Sequence, residues 1–184
     1  MKKISHLLLF LVMIPFLTGC FGSTGEETDT SLERQIFKNF SVDTPSTWRK
    51  ISEENFANTI PNETVALFIK KIDGDDFIQN LNIVKESINT DASSLEYAKA
   101  NILLGSKAII DYRPINTEQT TIRESETVIH TFRARNSSTD PLRHFSQSFY
   151  ARDRIAYTLT CISKDDDQAQ QEACATAVSS FRFL

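Results

Sequence analysis

Leu142-Arg-His-Phe-Ser-Gln-Ser-Phe-Tyr-Ala-Arg152-Asp-Arg154-Ile-Ala-Tyr-Thr-Leu-Thr-Cys-Ile162 reads as two strands and the turn between them. Both halves are rich in aromatic and β-branched residues, and the polar break falls at Arg152-Asp153, so the stretch predicts a hairpin. Tyr157, Leu159 and Cys161 share one face of its second strand, because strand side chains alternate with period two. An antiparallel hairpin here makes the second half of the chain an antiparallel sheet.

Working outward, the residues on either side keep the same period. Thr127 to Arg135 alternates, with Val128, His130, Phe132 and Ala134 on one side and Ile129, Thr131, Arg133 and Arg135 on the other. Asn136 to Pro141 is a loop. Asp111 to Ile122 predicts an edge strand, because Pro114 cannot donate to a central ladder. Downstream, Asp165-Asp166-Asp167 opens a helix, where carboxylates suit the positive end of the dipole. Ala169, Ala173, Cys174, Ala177, Val178 and Phe181 form its apolar stripe.

The first half mixes strands and helices. Phe37 to Val42 suits a strand that Pro45 ends, and Trp48 follows as a core anchor. Ser52 starts a short helix. Thr64 to Ile72 and Phe77 to Ile88 predict paired strands around the turn Asp73-Gly74-Asp75. Ser93-Ser94-Leu95-Glu96 is a capping box, opening a helix to about Ser106 with Leu95, Ala98, Ile102 and Gly105 on one face. The order predicts an α+β fold, an antiparallel sheet flanked by helices.

The N-terminus carries a different message. Lys2 and Lys3 precede an apolar run, Leu7 to Phe16, which leads into Leu17-Thr18-Gly19-Cys20. This is the layout of a secretion signal, and its last four residues resemble a lipobox. That resemblance implies a signal peptide over residues 1–19 and lipid on the Cys20 thiol. An uncleaved membrane anchor is the competing reading, but Pro15 interrupts a run already short of the ~20 residues a span needs. Residues 20–36 then form the lipidated cysteine and a flexible tether, with folding beginning near Leu32 to Phe37, and residues 37–184 form one domain. Phe21, in place of an aspartate, favours an outer membrane and a periplasmic orientation.

The chain has 184 residues, with 20 Lys and Arg against 24 Asp and Glu. Without residues 1–19, 18 basic residues remain and the net charge is near −6. An acidic domain argues against nucleic acid as a partner and against broad adsorption to anionic lipid. Thirteen phenylalanines supply a core. Cys161 and Cys174 are the two cysteines left after Cys20. Outside the cytoplasm such a pair forms a disulfide, and Cys174 lies on the buried stripe facing the sheet that carries Cys161. Two buried free thiols, or a redox or metal pair, are the other readings; the spacing fits neither CxxC nor a zinc site.

Phe40-Ser-Val-Asp-Thr-Pro45 followed by Trp48 is similar to the opening of the PsbP-like family. Ser94 to Ala98 resembles that family's middle helix, Phe149 to Cys161 its penultimate hairpin, and Ala177 to Phe183 its last helix and closing strand. Together these cover about residues 37–184. The resemblance implies the Mog1/PsbP-like fold, shared with DcrB-like lipoproteins: an α/β/α sandwich around an antiparallel sheet. It also implies an accessory role, since family members include photosystem assembly factors, a small-GTPase partner and envelope lipoproteins. No metal-binding histidine of the photosynthetic members carries over.

Chemistry-bearing motifs are sparse. His130 and His144 lie on strands without a ligand partner at i+2 or i+4, and read as satisfied strand or surface histidines. No nucleophile elbow, zinc-protease, P-loop or dinucleotide motif is present. Asp73, Asp75 and Asp76 lack the downstream glutamate of a calcium loop. Arg133, Arg135, Arg143, Arg152 and Arg154 mark either a solvated face or a partner surface. The expectation is a lipoprotein of the cell envelope that is not an enzyme, needs no cofactor or metal, and contacts the membrane through lipid and an unidentified protein partner. The alternative is a periplasmic carrier of a small ligand or lipid, its phenylalanines lining a pocket. A hydrolase would require His130 and His144 together beside a carboxylate.

Overall fold

The structure is a computed structural model, describing residues 31–56, 60–71 and 77–184. The strands are β1 Leu32–Ile36, β2 Phe40–Pro45, β3 Arg49–Ile51, β4 Thr64–Lys71, β5 Ile78–Ser87, β6 Ile110–Ile122, β7 Ser125–Arg135, β8 Arg143–Arg152, β9 Ile155–Lys164 and β10 Arg182–Phe183. The helices are α1 Ser94–Ala108 and α2 Gln168–Val178, with a 3-10 turn at Glu53–Asn55.

The strands form two antiparallel sheets. Seven run in the order β3-β4-β5-β9-β8-β7-β6, and three in the order β1-β2-β10. Hairpins build each end of the large sheet, and α1 carries the chain from β5, in its middle, to the far edge at β6. That crossing passes four strand spacings, ~19 Å at ~4.8 Å each. The 15 residues of α1 reach ~22 Å at ~1.5 Å per residue, so helix length matches the span.

Side-chain parity separates the two faces of the large sheet. Val128, Phe149 and Ala156 face α1 and pack with Tyr97 and Ala98. Leu81, Ile83, Tyr157, Leu159 and Cys161 face the other way, toward α2 and the small sheet. There the core is ring on ring: Phe40 lies 5.4 Å from Phe181, and Tyr150 lies 4.4 Å from Phe181. Trp48 is buried among them, as its anchor role requires.

Local chemistry fixes the helix ends. Ser93 caps α1: its hydroxyl accepts from the Glu96 N–H, and the Glu96 carboxylate accepts from the Ser93 N–H at 2.9 Å. A capping box of this kind satisfies two orphan donors at once. Asp167 caps α2, accepting from the Gln170 N–H at 3.0 Å, so this helix starts after the aspartate run rather than within it.

Four further points differ from the sequence reading or refine it. First, β1 occupies residues 32–36 through pairing with β2, at the near end of the range Leu32 to Phe37 where folding is expected to begin and ahead of the domain boundary set at residue 37. Second, the strand beginning near Phe37 joins a separate small sheet instead of the main one. Third, Ala169 is exposed and Gln170 takes its buried place, its backbone and side chain bonded to Gln79, Lys164 and Asp167. Fourth, the β8–β9 turn is Asp153-Arg154, one residue later, closed by Arg152 opposite Ile155. Both turn residues have positive φ, 54° and 61°, the twist that a two-residue hairpin loop needs.

Candidate functional site

Cys161 and Cys174 form a disulfide with Cα atoms 5.3 Å apart, and both are fully buried. The bridge fastens α2 to β9. Beside it the Gln79 side-chain amide donates to the Gln170 carbonyl at 2.9 Å, and Ser148 donates to the Val178 carbonyl at 2.7 Å. Leu17 to Cys20, and Asp73, Asp75 and Asp76, lie outside the described residues.

His130 and His144 sit on opposite faces of the large sheet. His130 pairs with Gln147 in register and His144 with Arg133, so their side chains have opposite parity. The arrangement that a hydrolase reading requires does not form. His144 lies beside Asp165 in an open groove along α2. Burial lowers its pKa, the Asp165 carboxylate raises it and Arg133 lowers it again. Asp165 accepts from the Arg133 guanidinium at 2.5 Å. Among the described residues, no group of three His, Cys, Asp or Glu side chains is placed to hold a metal ion.

His130 is only 1% exposed and belongs to a polar row across the middle of the sheet. Thr117, His130, Gln147, Thr160 and Asn82 occupy matching positions on β6, β7, β8, β9 and β5. His130 Nδ1 lies 2.7 Å from the Thr117 hydroxyl oxygen and 3.1 Å from the Asn116 carbonyl; the carbonyl can only accept, so that bond requires the imidazole proton on Nδ1. Nε2 therefore accepts from the Tyr112 hydroxyl at 2.7 Å. Both ring nitrogens are engaged, and burial lowers the pKa, so the neutral ring is the stable form. The Gln147 amide donates to Thr160 Oγ1 at 3.0 Å, whereas buried Asn82 Oδ1 has no hydrogen-bond partner.

Next to this row, the Tyr97 hydroxyl donates to Glu86 at 2.5 Å and lies 2.9 Å from Thr158 Oγ1. Burial, and then the Glu86 charge, drive the phenol pKa far up. A cavity between α1 and the sheet touches His130, Tyr112, Gln147, Thr158 and Asn101. Its room for water centres is about 10 Å³, about that of one water molecule. It suits a structural water; Tyr112, Phe132 and Phe149 line it, and Phe132 stacks on Phe145 at 4.8 Å. The sequence reading flagged His130 but missed the row around it. Its signal is Asn82, Gln147 and Thr160, polar residues at inward-facing strand positions.

The five singled-out arginines are engaged within the fold. Arg133 and Arg135 pair with Asp165 and Asp111. Arg143 and Arg152 lie 4.1 Å and 4.0 Å over the rings of Phe77 and Phe183, and Arg154 reaches Asp91 at 3.6 Å.

Two antiparallel sheets with one helix on either side of the larger define a PsbP-like fold. A solved cyanobacterial PsbP (CyanoP) from Synechocystis sp. PCC 6803 is similar, at a TM-score of 0.60 and 17% identity, covering 89% of this chain and 98% of that one. LpqN of Mycobacterium tuberculosis, described as involved in cell envelope biogenesis, is similar at 0.57 and 12%, covering 84% and 92%. PA94 of Pseudomonas aeruginosa is similar at 0.53 and 12%, covering 77% and 88%. At these identities the likeness establishes the fold. No protein-family model matches the sequence, and no curated protein matches it. No helix among the described residues is long and apolar enough to cross a membrane.

Proposed function

We propose that this chain is a non-enzymatic lipoprotein of the cell envelope, held by lipid on Cys20 and acting through protein contacts in assembly or envelope maintenance. The observation that carries the reading is the buried Cys161–Cys174 bridge, because such bonds persist in oxidising compartments outside the cytoplasm. It agrees with the lipobox-like Leu17 to Cys20, which supports a location beyond the inner membrane. Phe21 favours the outer membrane, facing the periplasm. LpqN, of similar fold, has a described role in envelope biogenesis. The structural engagement of both ring nitrogens of His130 supports a role without catalysis.

Intact mass of the protein extracted from membranes in detergent tests the anchor. The expected species starts at Cys20, carries two or more acyl chains and gains two hydrogens on reduction. A full-length, unacylated mass overturns the anchor. Crosslinked membranes that return no specific protein contact overturn the contact role.

A further inference from the structure

Among the described residues the outer edge of β6 is unpaired: the large sheet ends there. The other edges are short or charged. β3 has three residues, and β1 has five, with Glu33 and Arg34 among them. The first half of β6 is guarded by Pro114, by register shifts at Ile110/Arg113 and Pro114/Asn116, and by Asp111 at φ 53°. Such features are what discourage edge pairing. From Asn116 to Ile122 the guards stop. Seven residues run in unbroken register with β7, three of them threonines and one, Glu118, charged.

The β6–β7 turn shows which backbone groups of this stretch are open. Arg123 and Glu124 form a two-residue loop with φ 50° and 69°, closed by Ile122 opposite Ser125. In such a turn the closing pair exchanges hydrogen bonds, and bonded and non-bonded pairs then alternate. Thr120, Glu118 and Asn116 thus bond inward to β7. Thr121, Gln119 and Thr117 present their N–H and C=O outward, and all three side chains are exposed.

We propose that residues 116–122 pair antiparallel with the same residues of a second copy, about a two-fold axis through Gln119. In that register Glu118, the one charge of the stretch, stands opposite a threonine rather than opposite its own copy. Thr117 faces Thr121, Glu118 faces Thr120, Asn116 faces Ile122, and Gln119 faces its counterpart. Threonine pairs are favourable cross-strand neighbours, and no like charges stand directly opposite. A contact of this kind uses one patch twice and closes as a dimer. It joins the two large sheets edge to edge and is independent of the lipid anchor.

The test uses the full chain in membranes with Gln119→Cys under a mild oxidant. The expected product is a reducible dimer whose linked peptides both contain position 119, with none from Lys99→Cys on the exposed side of α1. Thr121→Pro added to Gln119→Cys removes an outward N–H without touching the β7 ladder, and is expected to cut the dimer at least about tenfold. Gln119→Lys leaves the backbone intact and sets two ammonium groups across the axis; sedimentation of the full chain in detergent is expected to shift from dimer to monomer. Absence of a 119–119 linkage overturns the proposal, as does a linkage to a different protein or a dimer that survives Gln119→Lys. Acylation is read from the mass of the same samples, so failure of the anchor and failure of the dimer are seen separately.

Discussion

Opening the Cys161–Cys174 bridge is expected to cost about 3 kcal/mol of stability. The two cysteines are 13 residues apart in sequence, and the loop-entropy relation for that length gives ~3 kcal/mol at 25 °C. The native contacts around the bridge are expected to survive reduction, because the Gln79 bond to the Gln170 carbonyl and the Ser148 and Tyr150 bonds to the Val178 carbonyl do not involve the S–S bond. The loss therefore falls mainly on the freedom gained by the unfolded chain. For a protein of this size ~1 kcal/mol moves Tm by ~2–4 °C, so the drop is ~6–12 °C. Both sulfurs are buried, so the protein is reduced while unfolded, refolded with reductant, and its two thiols confirmed by mass. Circular dichroism against temperature and urea then compares it with the oxidised form, and Cys161→Ala/Cys174→Ala serves as a control. A fully reduced protein melting within about 1 °C of the oxidised one would refute the argument; a change in urea slope alone would place the effect in the unfolded state's compactness.

Replacing Arg123-Glu124 with Asn-Gly keeps the turn and places at both positive-φ positions residues that tolerate the left-handed region, so stability is expected to rise by ~1 kcal/mol; an unchanged urea midpoint counts against it. Tyr97→Phe breaks the bond to Glu86 and leaves Thr158 with one partner fewer; a loss of ~1.5–3 kcal/mol is expected from urea unfolding. His130 gives a pH dependence. Its folded pKa is lowered by burial, so below the ordinary value of ~6.5 the unfolded chain takes up a proton that the folded chain resists. Stability is full above that pH and falls as pH drops toward the folded value. Urea midpoints at neutral and mildly acidic pH should show a shallower decline for His130→Gln than for the wild type, and equal slopes would remove His130 as a source. Ser93→Ala removes the cap of α1 and is expected to cost ~1 kcal/mol in the same assay.

Much of the candidate site was legible residue by residue and little of it as an assembly. His130 was visible as an inward strand residue, and Cys174 as part of a buried stripe. The row from Thr117 to Asn82 was not, because it joins five strands whose order is set by β5 lying next to β9. The separation of His130 from His144 follows from the same pairing. Gln170 was invisible as a core residue because its burial depends on Gln79, Lys164 and Asp167 meeting it from three elements.

By itself the sequence determined the local structure: period-two strands, the Ser93 capping box, the edge strand marked by Pro114 and the side of α2 that carries Cys174. These follow from forces acting within a few residues, namely side-chain alternation, orphan backbone groups and the missing N–H of proline. Only the tertiary structure decided that the strands divide into two sheets, that residues 32–36 form a strand, and which polar groups meet inside. Period-two alternation says which side chains share a face. It does not say which strand lies alongside, and that choice is made when all the faces are buried together.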